Sequence, residues 1–329
     1  VHFPAARLLE PAPVRIGISG WNYAPWRRVF YPEGLRQRDE LSFASTVFPS
    51  IEINGSFYSL VRPESCQAWY EATPREFVFA VKGSRFITHM KRLANVEVAL
   101  ANFFASGLLR LREKFGPILW QLPPRFRFDP ERLEKFLKLL PRSLGEAARL
   151  ARHHDARVAG RTELKARVDG PLRYALEVRH PSFEVPEYPE LLRRHGIASC
   201  AADAAKLFPL IEDVTADFVY VRLHGSERLY TSGYGSEELT SWALKIRAWQ
   251  CGAAPAEARH VGPVRAPNAA LPVFCYFDND VKVRAPFDAI NLMRAVSGLA
   301  VCAPPPALET VLEEPRTGWV EWESRPTKR

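Results

Sequence analysis

The chain has 329 residues, of which 47% are hydrophobic and 25% charged, enough apolar material for one large domain or two medium ones and too much for a disordered chain. Its formal charge of +8 suits an anionic partner. The abundance of Ala, Arg and Pro beside only two Met also fits a compositional bias, so a small anionic ligand is expected ahead of nucleic acid.

Residues 1–13 read as an irregular lead-in. Eight short apolar runs follow, each stopping at a polar or charged residue: Val14–Ser19, Ile51–Asn54, Phe77–Lys82, Ile118–Gln121, Tyr174–Arg179, Ile197–Cys200, Phe218–His224 and Val273–Asn279. Helical patterns separate most of them. A helix is predicted over Leu35–Phe48, a second between Pro63 and Pro74, and a third over Asn95–Phe115, stopped by Gly116-Pro117. The fourth begins with Asp129 as N-cap and Pro130 in its first turn. An Ala/Arg-rich extra helix and connector then precedes the fifth strand, expected on the side away from the pocket. Pro/Ala-rich residues 251–272 read as a floppy insertion before the eighth strand. Eight strand–helix units predict a single α/β domain, a (β/α)8 TIM-like barrel over residues 14–303, with the Pro- and charge-rich tail 304–329 outside it.

In such a barrel the C-terminal ends of the strands form the functional face. The residues that stop the runs include Glu52, Lys82, Glu177, Arg179, His180, Arg222, His224 and Asp278. Side chains alternate along a strand, so Glu52 shares a face with Asn54, Glu177 with Arg179, and Arg222 with His224. Buried charges must be paired, so Glu52, Glu177, Lys82, Arg179 and Arg222 are expected to form one network, with Lys82 paired to a neighbouring Glu. Such a network can simply plug the barrel, but an apolar plug would be less demanding. Glu52 and Glu177 are candidates for an acid–base pair, His224 for a proton shuttle, and Lys82 for a catalytic amine if desolvated.

Lys82, Arg85, His89, Arg179, His180, Arg222 and His224 make an electropositive pocket suited to phosphate or carboxylate. Trp21, Tyr58, Tyr230 and Tyr234 fall in loops where aromatics can line a rim, whereas Trp26 and Phe30 are spaced to pack over it. No cofactor is called for. A divalent metal is an alternative, with Glu52, Glu177, His180 and His224 as its ligands and Asp278 as a further oxygen donor. No P-loop or G-x-G-x-x-G is present. Five cysteines without C-x-x-C spacing point to reduced thiols in a cytoplasmic protein. No apolar run approaches the ~20 residues of a membrane span, and the start carries no signal-like core.

Several stretches resemble the YecE-like family, grouped as domain of unknown function seventy-two. They are GISGWNYAPWRRVFYPEGL (17–35), the long segment 47–93, GPILWQLPPRF (116–126), LEVRHPSF (176–183), YVRLHG (220–225) and YFDND (276–280). The resemblance implies a TIM-like barrel and an enzyme without naming a reaction. It draws attention to Ser19, Gly20, Trp21, Glu52, Asn54, Phe57, Tyr58, Lys82, Thr88, His89, Gln121, Leu122, Pro123, Pro124, Glu177, Arg179, His180, Arg222, His224, Gly225, Asn279 and Asp280. At Asp278 this chain departs from the family's usual Asn. The leading expectation is a hydrolase or lyase acting on a phosphate- or carboxylate-bearing substrate. Glu52, Glu177, His224 and Lys82 would be catalytic, and Trp21, Asn54, Tyr58, His89, Gln121, Arg179, His180, Arg222 and Asn279 would bind substrate. The alternative is a non-catalytic module that holds an anionic ligand or nucleic acid.

Overall fold

The computed structural model describes residues 11–302 apart from Ala266 and Asn268. The predicted lead-in up to residue 10 and the tail 304–329 therefore lie outside the described residues. Eight parallel strands close a barrel in chain order: β1 (Val14–Ser19), β2 (Ser50–Ile53), β3 (Val78–Lys82), β4 (Phe115–Gln121), β5 (Tyr174–Glu177), β6 (Ala198–Asp203), β7 (Val219–Leu223) and β8 (Val273–Phe277). Closure is made by β8 on β1, in register from Val14↔Val273 to Ile18↔Phe277.

Alternation along each strand separates two cores. Ile16, Ile18, Ile51, Ile53, Phe79, Val81, Trp120, Val221, Leu223 and Phe277 face outward under the helices. Ala80, Leu119, Ala175, Ala198, Cys200, Tyr220, Phe274 and Tyr276 pack inside the barrel as a separate cluster. Small residues opposite large rings let that interior fill without voids. Gly17 is the tightest point: a Cβ there would lie 1.8 Å from the Ser50 carbonyl oxygen on β2.

The helices are α1 (Glu40–Val47), the single turn α2 (Gly55–Tyr58), α3 (Pro63–Glu71), α4 (Glu97–Ala105), α5 (Pro130–Leu139), α6 (Leu144–Ala151), α7 (Glu187–His195), α8 (Ser236–Gln250) and α9 (Arg284–Val296). The Asp129 carboxylate caps α5 as predicted, accepting from the Arg132 amide. Two predicted helices are shorter than expected. The first opens with a 3-10 turn over Gln37–Asp39 before α1. The third ends at Ala105, because Gly107 takes φ 128° at a point where a Cβ would lie 2.6 Å from the Pro63 nitrogen; residues Leu108–Lys114 continue as 3-10 turns.

The extra helix α6 packs on α4. Its connector is not wholly on the far side, since the Arg157 guanidinium lies 5.2 Å from the Phe86 ring in the loop after β3. Among the described residues no α-helix joins β6 to β7, so one of the eight expected units lacks its helix. Residues 204–218 run as coil, with Glu212 paired to Lys245 of α8 and Asp213 to Arg193 of α7. The same two carboxylates accept from the backbone amides of Arg259, Val261 and Gly262. Residues 259–262 of the segment expected to be floppy are thus anchored to the coil between β6 and β7. No helix among the described residues is long and apolar enough to cross a membrane.

Candidate functional site

The inward-facing residues at the C-terminal strand ends converge on Arg222 of β7. Its Nη2 lies 2.8 Å from Glu52 Oε1, 2.8 Å from Asp278 Oδ2 and 3.1 Å from Ser19 Oγ, and its Nη1 lies 2.8 Å from Glu177 Oε2. Strands β1, β2, β5, β7 and the end of β8 each contribute one member. Ser19 also donates to Glu52 Oε1, and the Tyr220 hydroxyl donates to Glu52 Oε2 at 2.6 Å. Arg179 Nε donates to the remaining oxygen of Glu177 at 2.8 Å. A planar guanidinium with five donors suits this task better than a lysine ammonium would.

Electrostatics follow from these contacts. Burial alone would raise the pKa of Glu177, but Arg179, Arg222 and His224 outweigh it and hold the carboxyl well below its ordinary range. Asp278 is likewise held down by Arg222 against its burial. Its neighbour Asp280 goes the other way: burial, then the Asp278 charge, raise it to about 7. Two adjacent carboxyls driven apart in this manner give one ionised group and one that takes up a proton near neutral pH. His224 sits between carboxylates, with Nδ1 3.2 Å from Asp278 Oδ2 and Nε2 3.7 Å from Glu177 Oε1.

Lys82 departs from expectation. Among the described residues its ammonium has no carboxylate within 4 Å; it lies over the face of Phe57, 4.6 Å from the ring centroid. Arg222 and Arg179 engage the carboxylates that were expected to pair with it. Burial, then Arg222, lower its pKa, opposed by Asp278, Glu52 and Glu177. His89, in a π-helical turn over Phe86–Met90, packs edge-on against Phe57. Burial, then the Arg179 and Lys82 charges, push its pKa down to about 3, so the imidazole is neutral.

Gln121 ends β4 beside Glu177 of β5. Both atoms of its amide are buried with no hydrogen-bond partner among the described residues. Tyr230, in the loop between β7 and α8, takes φ 62° and accepts a bond from Arg179 Nη2 at 3.0 Å. Its ring lies 5.4 Å from that of His224.

The other predicted site residues are engaged differently. Trp21 packs against Trp69 and Phe79 at the helix layer. His180 accepts from the Ser182 amide and caps the turn after β5. Asn279 donates to Ser232 O and Asp288 Oδ2, which fastens the β7–α8 loop to α9. Asn54 donates to Ser19 O, and its own oxygen is buried without a partner among the described residues. Tyr58 is exposed beneath Arg85. Trp26 and Tyr234 are buried packing residues.

The donor set does not fit the expected alternative of a divalent metal. The Arg222 guanidinium occupies the space between the three carboxylates, and His180 is turned onto Ser182. Among the described residues no three His, Cys, Asp or Glu side chains are grouped to hold a metal ion.

Tyr220 was missed by strand-pattern reading, because an aromatic in an apolar run reads as core. Asp280 was reached only through the family resemblance, since it lies beyond the strand's alternation. Its effect on the site comes through the neighbouring Asp278.

Similar proteins confirm the frame. The chain is 26% identical over 173 residues to the UPF0759 protein YecE of Escherichia coli K12, covering 52% of this chain and 50% of that one. It is 24% identical over 144 residues to the UPF0759 protein YunF of Bacillus subtilis 168, covering 40% and 48%. The chain thus spans about half the length of the curated relatives it matches. Crystal structures of DUF72 family proteins superpose on nearly the whole barrel. The Thermotoga maritima MSB8 protein gives a TM-score of 0.63 at 24% identity over 87% of this chain and 99% of that one. An Enterococcus faecalis V583 protein gives 0.60 at 16% identity over 89% and 98%. The family model for proteins of unknown function DUF72 matches residues 15–309, and the chain belongs to that family.

Proposed function

We propose that this chain is an enzyme that takes a small phosphate- or carboxylate-bearing substrate at the C-terminal mouth of the barrel and acts on it by hydrolysis or elimination. The observation that supports this most directly is Lys82, a buried cation without an internal carboxylate partner among the described residues. An anionic ligand would supply what the protein withholds. Arg179 is the second cation at the mouth, and the neutral His89 and the Gln121 amide offer hydrogen bonds to the ligand's polar groups. Glu52 and Glu177 have their oxygens filled by internal donors, so they serve better as the rigid charged floor than as the acid–base pair. Asp280 is the favoured acid and His224 the group that passes a proton. All five cysteines are unpaired, which supports a reducing, cytoplasmic setting.

The test is titration calorimetry with inorganic phosphate and with malonate, beside a turnover screen on phosphomonoesters, phosphodiesters and hydroxy acids. Binding by the wild type, weakened about tenfold or more in Lys82→Met as expected for a lost charged contact, supports the anion site. Equal binding by both proteins refutes it. Turnover that survives unchanged in Asp280→Asn removes that residue as the acid. The filled lone pairs of Glu52 and Glu177 also suit a non-catalytic anion-binding module, and anion binding without turnover of any class would favour that reading.

A further inference from the structure

Lys82 ends β3 with its side chain inside the barrel, and the residue is 7% exposed. A buried ammonium ordinarily takes a carboxylate. Three carboxylates stand in the same mouth, yet each is directed at another cation: Glu52 and Asp278 at Arg222, and Glu177 at Arg222 and Arg179. The arrangement keeps anions off the amine while burying it. Beside β3, strand β4 presents the Gln121 amide, 1% exposed, with both polar atoms unsatisfied among the described residues. A buried amide without partners is costly to the fold, so a ligand that supplies them gains from the site.

We propose that Lys82 is an amine nucleophile that forms an iminium with an aldehyde or ketone carrying a carboxylate or phosphate. The proposal rests on the anion-accepting site described above and names its substrate class. The Nζ lone pair attacks the carbonyl carbon as the C=O π pair moves onto oxygen. The ammonium gives up two protons in all. Both end on that oxygen, which leaves as water, while nitrogen and carbon are joined by a double bond that retains one N–H. No oxidant or reductant is involved. The positive charge stays on nitrogen, so the Phe57 face that holds the ammonium also holds the iminium. Arg179 is placed for the anionic group, and Gln121 for the carbinolamine hydroxyl. Burial and the Arg222 charge favour the neutral amine that must attack.

The test is reductive trapping. The full chain is incubated with glyoxylate or pyruvate and sodium cyanoborohydride at neutral pH, and alkylation at each lysine is followed by peptide mass spectrometry. Lys82 is expected to react at least ~10-fold faster than the exposed Lys91 and Lys206, as its lowered pKa and bound carbonyl require. Malonate should slow Lys82 and leave the surface lysines unchanged, and Arg179→Met should do the same. Lys82 reacting no faster than Lys91 with either carbonyl overturns the proposal. Calorimetry with inorganic phosphate on the same preparation separates the two ideas. Phosphate binding without trapping removes the amine chemistry and leaves the anion site; neither removes both.

Discussion

Arg222→Met is the sharpest perturbation of the site. Methionine retains much of the side-chain length but leaves Glu52, Glu177 and Asp278 buried without the cation that lies 2.8 Å from each. Removing one partner of a buried ion pair typically destabilises by ~3–5 kcal/mol. With a melting entropy of ~2.1 cal/mol/K per residue over roughly 290 structured residues, that is a fall of ~5–8 °C in Tm. The pH dependence carries the sign. In the wild type Glu177 and Asp278 are held below their unfolded pKa, so their contribution is present above about pH 4 and is lost as pH falls through the folded values. In the variant these carboxyls take up protons more readily when folded, so its deficit against the wild type should shrink from about pH 8 to about pH 5. Urea unfolding at several pH values, with Arg222→Met/Glu177→Gln/Asp278→Asn as a companion, measures both effects. The triple variant should recover at least about half of the loss, because neutral isosteres need no cation. A Tm change under ~2 °C, or a deficit that does not vary with pH, would refute the account of Arg222 as the charge that holds the floor together.

Three further outcomes follow from single positions. Gln121→Leu deletes an amide without an internal partner among the described residues, so stability should hold or rise by up to ~1 kcal/mol in denaturant titrations while phosphate binding weakens. A loss greater than that would show the amide is satisfied within the fold. Gly17→Ala sets a Cβ against the Ser50 carbonyl, and circular dichroism should find no cooperative barrel; a melt within ~2 °C of wild type would overturn the packing. Burial, partly offset by the Asn279 and Tyr234 hydrogen bonds, raises the Asp288 pKa to about 7. Its contribution is therefore full below about pH 4 and lost as pH rises through about 7, a trend that Asp288→Asn should abolish in unfolding curves.

The strands were legible because each alternates between a helix-facing and an interior set, and because a polar residue marks where the interior opens to the mouth. Val14–Ser19 coincides with β1 for that reason. The Ala-rich β6 was the faintest strand, since small residues give little contrast between faces, yet the stretch IASCAAD (197–203) does hold it, over Ala198–Asp203. Glu52, Glu177, Arg222 and His224 were legible as a group from strand position alone. Their partners were not. Which cation takes which carboxylate depends on competition across five strands, and the Arg222 fork prevails over the Lys82 ammonium there. The anchoring of residues 259–262 escaped notice because a Pro/Ala-rich stretch carries no sign of the two distant carboxylates that bind its backbone.

The Arg222 contacts also set when the site can exist. Arg222 meets Ser19 across 203 residues of chain and Glu52 across 170, while Asp278 joins from 56 residues further on. Contacts of such separation form late, after loop closure has brought the terminal strands together. Until β8 docks on β1, the chain carries three like-charged carboxyls with no common counter-charge, and that repulsion works against a partly rolled sheet. The cluster therefore ties the charge balance of the mouth to ring closure, since its five members come from β1, β2, β5, β7 and the end of β8.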